Sequence, residues 1–244
     1  MKAEDIIGML VPITFLVFLV TERLFPRRQY PPICFWTLIG FACLIVTAII
    51  GTLLPLLLPE TWTRHHLFDA SGLGFVGGIL VGYPLSTLGA ALVHRASHVI
   101  RPLWLLTHQM HHSPRRLDIP GSPYFHPFDI ALQTVPFVVI TVFVLGLDPL
   151  TAAGVNYVGA TFAMFQHWNV RTPRWIGYFI QRPESHGLHH ELGVHARNYS
   201  DFPLWDMLMG TFVNPETFDG DVGFAGDASN RRVAMLLFRD VNAN

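Results

Sequence analysis

The chain has 244 residues, of which 51% are hydrophobic and only 14% are charged, and its mean hydropathy is +0.38. Soluble domains of this length carry about 25% charged residues, so this composition excludes an ordinary water-soluble domain and indicates a protein solvated partly by lipid. The formal net charge of −1 does not identify a partner.

Five long stretches with few or no charged side chains predict membrane-spanning helices. In chain order they cover residues 6–21, 31–59, 70–93, 130–147 and 149–166, and the first extends to residue 25 if Glu22 and Arg23 reach the interface. Little more than Asp148 separates the last two stretches, which therefore predict a tight helical hairpin. We expect about four to five spans in all.

The basic residues indicate the orientation of these spans. With five spans, 14 of the 16 Lys and Arg residues follow spans one, three and five, and only Lys2 and Arg64 fall on the other side. Because cytoplasmic loops are enriched in basic residues, we expect the N-terminus outside and the C-terminus in the cytoplasm. A bacterial inner membrane or the endoplasmic reticulum would suit such a protein.

These features predict an all-α fold, a multi-pass transmembrane helical bundle with a cytoplasmic helical cap. The chain would form one catalytic domain. Its predicted parts are spans one to three (1–93), a cytoplasmic segment (94–128), the transmembrane hairpin (129–166), a second cytoplasmic segment (167–212) and a cytoplasmic tail (213–244). Within the tail, the acidic stretch 215–229 predicts a solvated loop.

Histidine is the most unusual feature of the composition, with 13 residues against a single Lys. Eight of them form three clusters, His94-Arg-Ala-Ser-His98, His108-Gln-Met-His111-His112 and His186-Gly-Leu-His189-His190. On a helix, residues at i, i+3 and i+4 share one face, so each cluster should direct its imidazoles towards one point. Imidazole suits Fe, Zn, Cu and Ni, and eight imidazoles are too many for one ion. The clusters therefore predict a dinuclear metal site in the cap.

The position of the clusters favours an enzyme over two other classes of protein. All eight histidines follow the ends of predicted spans, and no Asp or Glu interrupts the span interiors. A metal-binding membrane transporter would place ionisable groups near the bilayer midplane. A zinc hydrolase would keep an open position beside three protein ligands, fewer than are present here. Both classes remain as alternatives.

Several further motifs accompany the three clusters between about residues 94 and 212. They are Ser122-Pro-Tyr-Phe-His-Pro127, His167-Trp-Asn169, Asn198-Tyr-Ser, Trp205-Asp206 and Gly210-Thr-Phe212. With these motifs the sequence resembles the fatty acid hydroxylase/sterol desaturase superfamily of integral-membrane di-iron enzymes. The combination is specific for that superfamily but does not identify a substrate.

The resemblance implies nine metal ligands, namely His94, His98, His108, His111, His112, His167, His186, His189 and His190. It implies two iron ions as cofactors, with zinc possible in purified samples, and O₂ as cosubstrate. Six further residues are weaker candidates, either as ligands or as groups that hydrogen-bond to a ligand: His126, His195, Asn169, Asp118, Asn198 and Asp206. For the last four, a role in capping or in a turn is an equally good interpretation. His65 and His66, between spans two and three, are interpreted as bystanders.

The resemblance also implies an O₂-dependent oxidoreductase, a monooxygenase that hydroxylates a lipid alkyl chain or a sterol-like substrate with two external electrons. Lipid desaturation, or oxidative cleavage at an ether or methyl carbon, is the alternative at the same site. The sequence contains no recognisable electron-carrier motif, so we expect a separate donor, a ferredoxin or a cytochrome b5-type protein with its reductase. The expected partners are thus this donor, a lipid substrate and the membrane, with no nucleic acid.

Overall fold

A computed structural model describes residues 2–243, and within this range the chain is helical and forms no β-strand. The predicted all-α class is confirmed. The helices are α1 (Ala3–Leu24), α2 (Trp36–Leu56), α3 (Glu60–Thr63), α4 (Gly74–Val99), α5 (Arg101–Leu103), α6 (Gln109–His112), α7 (Pro127–Val138), α8 (Pro149–His167), α9 (Pro183–His189), α10 (Pro203–Met209) and α11 (Arg232–Leu236). Short 3₁₀ segments occur at Ser71–Leu73, Ile119–Gly121, Arg174–Tyr178 and Ala228–Asn230, and wider π turns at Trp104–His108 and Val139–Val144.

Four helical segments of the described chain are long and apolar enough to span a membrane. They are Ala3–Leu24, Trp36–Leu56, Ser71–Val99 and Pro127–Val144. These confirm four of the five predicted spans, with ends that differ by a few residues. At residues 149–166 the predicted helix forms as α8, but it is less apolar than the other four, and length and composition alone do not identify it as a span. It packs against both α1 and α4, and a helix that faces protein needs a less apolar surface than one that faces lipid.

Helices α4 and α8 run in parallel towards the same end of the bundle. Gly78 of α4 lies against Thr151, and Gly82, one turn further on, lies against Val155, one turn further along α8. At these glycines the lack of a Cβ atom allows the two helices to approach closely. Because the helices are parallel, their C-terminal ends, which carry His94, His98 and His167, lie side by side.

Helix α1 runs alongside α8 in the same direction. The hydroxyls of Thr14 and Tyr157 are 3.0 Å apart, and the indole of Trp168, directly after α8, donates to the carbonyl of Phe18 at 3.0 Å. Near the end of α1, the buried carboxylate of Glu22 accepts from the backbone of Ile119. Thus α1, α4 and α8 all end on the side of the bundle that carries the histidines.

The histidine-bearing end of α4 differs from the prediction. The third span was expected to stop at residue 93, but the helix continues to Val99, and His94 and His98 lie in its last turns. It ends where Ile100 adopts an extended conformation, and Pro102 then lies in the first turn of α5, where proline is well tolerated. Both histidines are therefore mounted on a rigid helix rather than on a loop.

The C-terminal part of the chain is packed against the bundle, so the prediction of a solvated loop at 215–229 is wrong. Phe224 and Met235 form a buried cluster with Trp36 and Tyr124. Trp36 is the first residue of α2, and Tyr124 lies shortly before α7. Phe218 is also buried. The acidic residues of the stretch stay at the surface, whereas the aromatic residues between them enter the core.

Candidate metal centre

Nine histidines meet at one end of the bundle and form two groups. In each group the possible ligand nitrogens all lie within 4.8 Å of one another. We call them the first group (His94, His98, His108, His112 and His189) and the second group (His111, His167, His186 and His190). Seven of the nine side chains are buried, and His94 and His98 are half-buried. All nine histidines that the sequence analysis selected are thus brought together.

The histidine clusters are not divided between the groups as predicted. Each cluster was expected to direct its imidazoles to one point, but the second and third clusters each serve both groups. His108 and His112 belong to the first group, while His111 belongs to the second. The reason is helical geometry. Around the helix axis, residue i+4 lies about 40° to one side of residue i, whereas residue i+3 lies about 60° to the other side. Residues i+3 and i+4 are therefore about 100° apart and can face different metal ions. In the third cluster, His189 is separated from its neighbours in the same way.

The unpaired nitrogens of these rings show that the site suits metal ions. Five ring nitrogens are buried and have no hydrogen-bond partner among residues 2–243, and they belong to both groups: Nε2 of His108, His112, His167 and His189, and Nδ1 of His111. In addition, the Nε2 atoms of His186 and His190 face each other at 3.1 Å. Buried polar atoms are normally paired, and a cation between the rings would satisfy these lone pairs.

One loop holds the rings of two ligands in the first group. We call residues 195–199 the supporting loop. Nδ1 of His94 donates to the carbonyl of Tyr199 at 2.7 Å, and Nδ1 of His189 donates to the carbonyl of Arg197 at 2.6 Å. A ring that donates through Nδ1 keeps its lone pair on Nε2, so the loop prepares these rings to bind a metal.

The supporting loop has a strained backbone. His195, Arg197 and Asn198 have φ values of 42°, 70° and 47°, in the left-handed region that is rare for residues other than glycine. The side chain of Asn198 bonds to Ser185 and to both backbone groups of Val213, which anchors the loop. Strain of this kind persists only where the surrounding structure fixes it, and it is common at functional sites.

Other residues hold the remaining rings. Asp129 accepts from Nδ1 of His108 at 2.7 Å, and the carbonyl of Ala163 accepts from Nδ1 of His167 at 3.0 Å. The amide of Gln181 lies 3.0 Å from Nδ1 of His186. Sequence reasoning missed these three residues, as well as the carbonyls of the supporting loop. Asp129 directly precedes the predicted span 130–147, but only the folded chain brings it to His108.

The six weaker candidates are placed as follows. His195 lies beside the first group, with its Nδ1 3.1 Å from Nδ1 of His112. His126 is in neither group, because its ring caps the start of α7 and faces the carbonyl of Leu236. Asn198 and Asp206 support the ligands indirectly. Asn198 anchors the supporting loop to Val213, and Asp206 accepts from the backbone amides of Tyr199 and Ser200.

The other two weaker candidates do not contact either group. Asp118 accepts from the indole of Trp36 and from the backbone of Gly121, and Asn169 bonds to the backbone of Arg28. They fit the capping and turn roles that the sequence left open. His66 lies against Gly146 at the opposite end of the bundle, in agreement with the interpretation of His65 and His66 as bystanders.

Burial keeps the ligand rings neutral. Loss of solvent and the neighbouring histidines hold the pKa of His112 and of His189 well below the ordinary value of 6.5. The same causes lower the pKa of His111, His186 and His190. For His195, burial lowers the pKa to about 4. Because only the neutral imidazole has a lone pair for a metal, these rings need not lose a proton before they bind one.

Comparison with known proteins finds a matching family model and several similar enzymes. The model of the family described as fatty acid hydroxylase matches residues 79–211. The ornithine lipid hydroxylase OlsE of Rhizobium tropici is 28% identical over 207 residues, which cover 78% of this chain and 60% of that protein. The lathosterol oxidase of Rattus norvegicus is 31% identical over 130 residues, 52% of this chain and 42% of the oxidase.

The human lathosterol oxidase matches over the same share of both chains, with 28% identity. The chain therefore spans about 60% of the length of the curated hydroxylase and less than half of the oxidases. No solved structure matches. The matched region contains all nine histidines and more than half of the chain, and the protein belongs to the fatty acid hydroxylase family.

Proposed function

We propose that this protein is a membrane-bound di-iron monooxygenase that hydroxylates a lipid. The observation that carries the proposal is the pair of histidine groups, with their unpaired ring nitrogens, at one end of a bundle of spanning helices. The distribution of basic residues supports a cytoplasmic position for this end. The family to which the chain belongs supports a lipid substrate.

The donor set fits two iron ions. Five neutral nitrogen donors in the first group and four in the second leave room for a further ligand on each ion, as iron commonly binds up to six ligands. When bound, iron would supply the power to oxidise an alkyl C–H bond, which no protein side chain has. The overall reaction consumes one O₂, two electrons and two protons, and it yields an alcohol and one water.

The residues of the chain position the metals and exclude water. His112 and His189 are fully buried and His108 almost so, so bulk water does not reach the first group from their side. Asp129 fixes the ring nitrogen that His108 presents, and the supporting loop does the same for His94 and His189. Because α4 and α8 carry ligands at their ends and continue into the bundle, an alkyl chain lying along them would reach the metals from the membrane side.

The relatives favour hydroxylation. The match to the ornithine lipid hydroxylase covers 78% of the chain, against 52% for the lathosterol oxidases. Lipids with an amino-acid headgroup are therefore the first substrate class to test. The similarity to lathosterol oxidase supports a second candidate, desaturation of a sterol-like or acyl substrate at the same centre.

The electrons would come from a separate ferredoxin or a cytochrome b5-type protein with its reductase. Exposed arginines at the histidine end, such as Arg115 and Arg171, offer a surface for an acidic donor. Such docking would make the rate of reduction fall as the salt concentration rises.

The test is to express the full chain, with a competent electron donor, in a host of defined lipid composition and to measure the lipid masses and the bound metal. A gain of one oxygen atom in one lipid class would support hydroxylation, and a loss of two hydrogen atoms would support desaturation. An unchanged lipidome together with a protein that binds no iron would refute an oxygenase. Zinc in the preparation would not decide the native metal, because the Irving–Williams order favours zinc at such sites.

A further inference from the structure

A short helix of the cap lies far down the side of a spanning helix. The indole Nε1 of Trp205, in α10, donates to the carbonyl of Pro84 at 3.0 Å and lies 3.1 Å from the hydroxyl of Thr87. Pro84 precedes His94 by ten residues, which corresponds to about 15 Å along a helix. Trp205 thus contacts the spanning segment Ser71–Val99 near its middle.

A second contact places α10 at the same level. Phe202, directly before α10, packs against the buried cluster that contains Tyr83. This contact does not involve Trp205, so the position of α10 rests on two independent contacts. The chain therefore leaves the histidine groups after Tyr199, descends beside α4, and returns to the supporting loop at Thr211, whose carbonyl accepts from the amide of Asn198 at 3.1 Å.

The outer face of α10 is apolar. Leu204, Met207 and Leu208 are 41%, 38% and 71% exposed, although the helix has only seven residues. Its single charged residue, Asp206, is fully buried. On α4, Leu80 lies one helical turn before Pro84 and is 70% exposed, so the apolar face of α10 follows a surface of α4 that is itself apolar and exposed. Exposed apolar surface of this kind is uncommon on proteins that face water, so the composition of α10 favours contact with lipid.

We propose that α10 is a re-entrant element of the membrane domain, inserted beside α4 with Leu204, Met207 and Leu208 in contact with lipid acyl chains. It is too short to count as a span, and it enters and leaves the membrane on the histidine side.

The polar groups of the segment agree with this environment. In hydrocarbon, irregular backbone must find its hydrogen bonds within the protein. The carboxylate of Asp206 accepts from the backbone of Tyr199 and of Ser200, both at 2.8 Å, and from the hydroxyl of Thr211. Gly210, with a φ of 71°, then ends the helix in a left-handed conformation. The turn before α10 and the end of α10 are thus satisfied by one buried carboxylate.

The segment is also connected to the candidate metal centre. Asp206 fixes the amide of Tyr199, and the carbonyl of the same residue accepts from Nδ1 of His94. A membrane-embedded α10 would therefore couple the lipid surface to the support of a metal ligand over two hydrogen bonds. The insertion itself does not depend on the proposed reaction and can be tested without it.

Spin labels in the full chain can test the insertion. The two free cysteines, Cys34 and Cys43, are first replaced by alanine, and a single label is then attached through Leu208→Cys. The protein is reconstituted into phosphatidylcholine/phosphatidylglycerol vesicles. Collision of the label with O₂, which partitions into lipid, is compared with collision with a water-soluble nickel chelate. Leu80→Cys serves as the control for a lipid-facing position, and Asp227→Cys, at an exposed charged residue, serves as the control for water.

We expect the ratio of oxygen to nickel collision at position 208 to match that at position 80 and to exceed that at position 227. A ratio nearer to that at position 227 would overturn the proposal, because α10 would then face water. A label shielded from both reagents would also overturn it, because a protein surface or a second copy of the chain would then cover α10.

Discussion

The carboxylate of Asp129 lies 2.7 Å from Nδ1 of His108, and both side chains are buried. Asp129 belongs to the first turn of α7, whereas His108 lies in the segment that leads into α6. The contact holds the proton of His108 on Nδ1 and leaves Nε2 without a partner among the described residues, free to bind a metal. Carboxylate partners of this kind also raise the basicity of a metal-bound histidine.

We therefore predict that Asp129→Asn weakens metal binding. Loss of such a partner typically reduces metal affinity by about 10–100-fold. The affinity can be measured by competition with a chelator in detergent-purified protein. Asp219→Asn, at an exposed residue that pairs with Arg27, is the matched control and should leave the affinity unchanged. Equal affinities in the two variants would contradict the role of Asp129.

Replacement of Asn198 should destabilise the supporting loop. Its side chain makes three hydrogen bonds that Asn198→Ala would remove, leaving the backbone groups of Ser185 and Val213 unpaired. An unpaired buried group costs about 1–3 kcal/mol, and alanine also tolerates a positive φ less well than asparagine. We expect a clearly lower melting temperature and loss of metal, chiefly from the first group.

The control for this variant is Asn156→Ala. Asn156 lies on an exposed face of α8 and makes a single hydrogen bond to the backbone of Ala152. The Asn156→Ala protein should have a melting temperature within a few degrees of that of the wild-type protein. If Asn198→Ala kept both its metals and its melting temperature, the loop would not support the ligands.

Two glycines of α2 should respond in opposite ways to alanine. A Cβ atom at Gly40 would come within 2.7 Å of backbone atoms of Pro120, whereas nothing lies within 4 Å of one at Gly51. Alanine is better than glycine in a helix interior by about 0.5–1 kcal/mol, so Gly51→Ala should not lower thermal stability. Gly40→Ala should lower it, because the backbone of the Ile119–Gly121 segment would have to move. Melting curves of both variants measure the difference, and similar curves would contradict the close packing of α2 on this segment.

Asp201 should destabilise the protein above about pH 6. Burial raises the pKa of its carboxyl group from 3.8 to about 6. A raised pKa means that the folded state holds the proton more tightly, so the associated stability is complete at low pH and is lost as the pH rises through about 6. A shift of about two units corresponds to at most about 3 kcal/mol.

Asp201→Asn keeps an oxygen that can accept from Gln166 and removes the charge. We expect its melting temperature to exceed that of the wild-type protein at about pH 8, and the gap to close as the pH falls to about 4. Asp227→Asn, at an exposed carboxylate, is the control. A gap that stays constant with pH would show that the carboxyl group is not the cause.

Much of the candidate centre could be predicted because its ligands repeat at helical spacings. His108 and His112, or His186 and His190, lie four residues apart, and that spacing alone places them on one face of a helix. The long apolar stretches likewise predict the positions of α1, α2 and α4, although the ends of the helices differ by several residues. These features depend on local chain geometry, which a sequence displays directly.

The features that could not be predicted depend on tertiary contacts. The contact of Asp129 with His108 joins residues 21 positions apart, and the carbonyl of Tyr199 reaches a histidine 105 positions away. A backbone carbonyl leaves no signature in the sequence. The burial of Phe224 was missed for the same reason, because its partners in the core come from distant parts of the chain.

The most direct test of the central claim combines the proposed chemistry with the two histidine groups. The wild-type chain, His189→Ala and His65→Ala are each expressed with an electron donor under ¹⁸O₂, and the lipids and bound metal are measured. We expect the wild-type and His65→Ala proteins to hold two metal ions per chain and to place one ¹⁸O atom in a lipid. His189→Ala should lose metal and form no labelled product. Labelled lipid from His189→Ala at the wild-type level, or none from any of the three, would contradict the assignment.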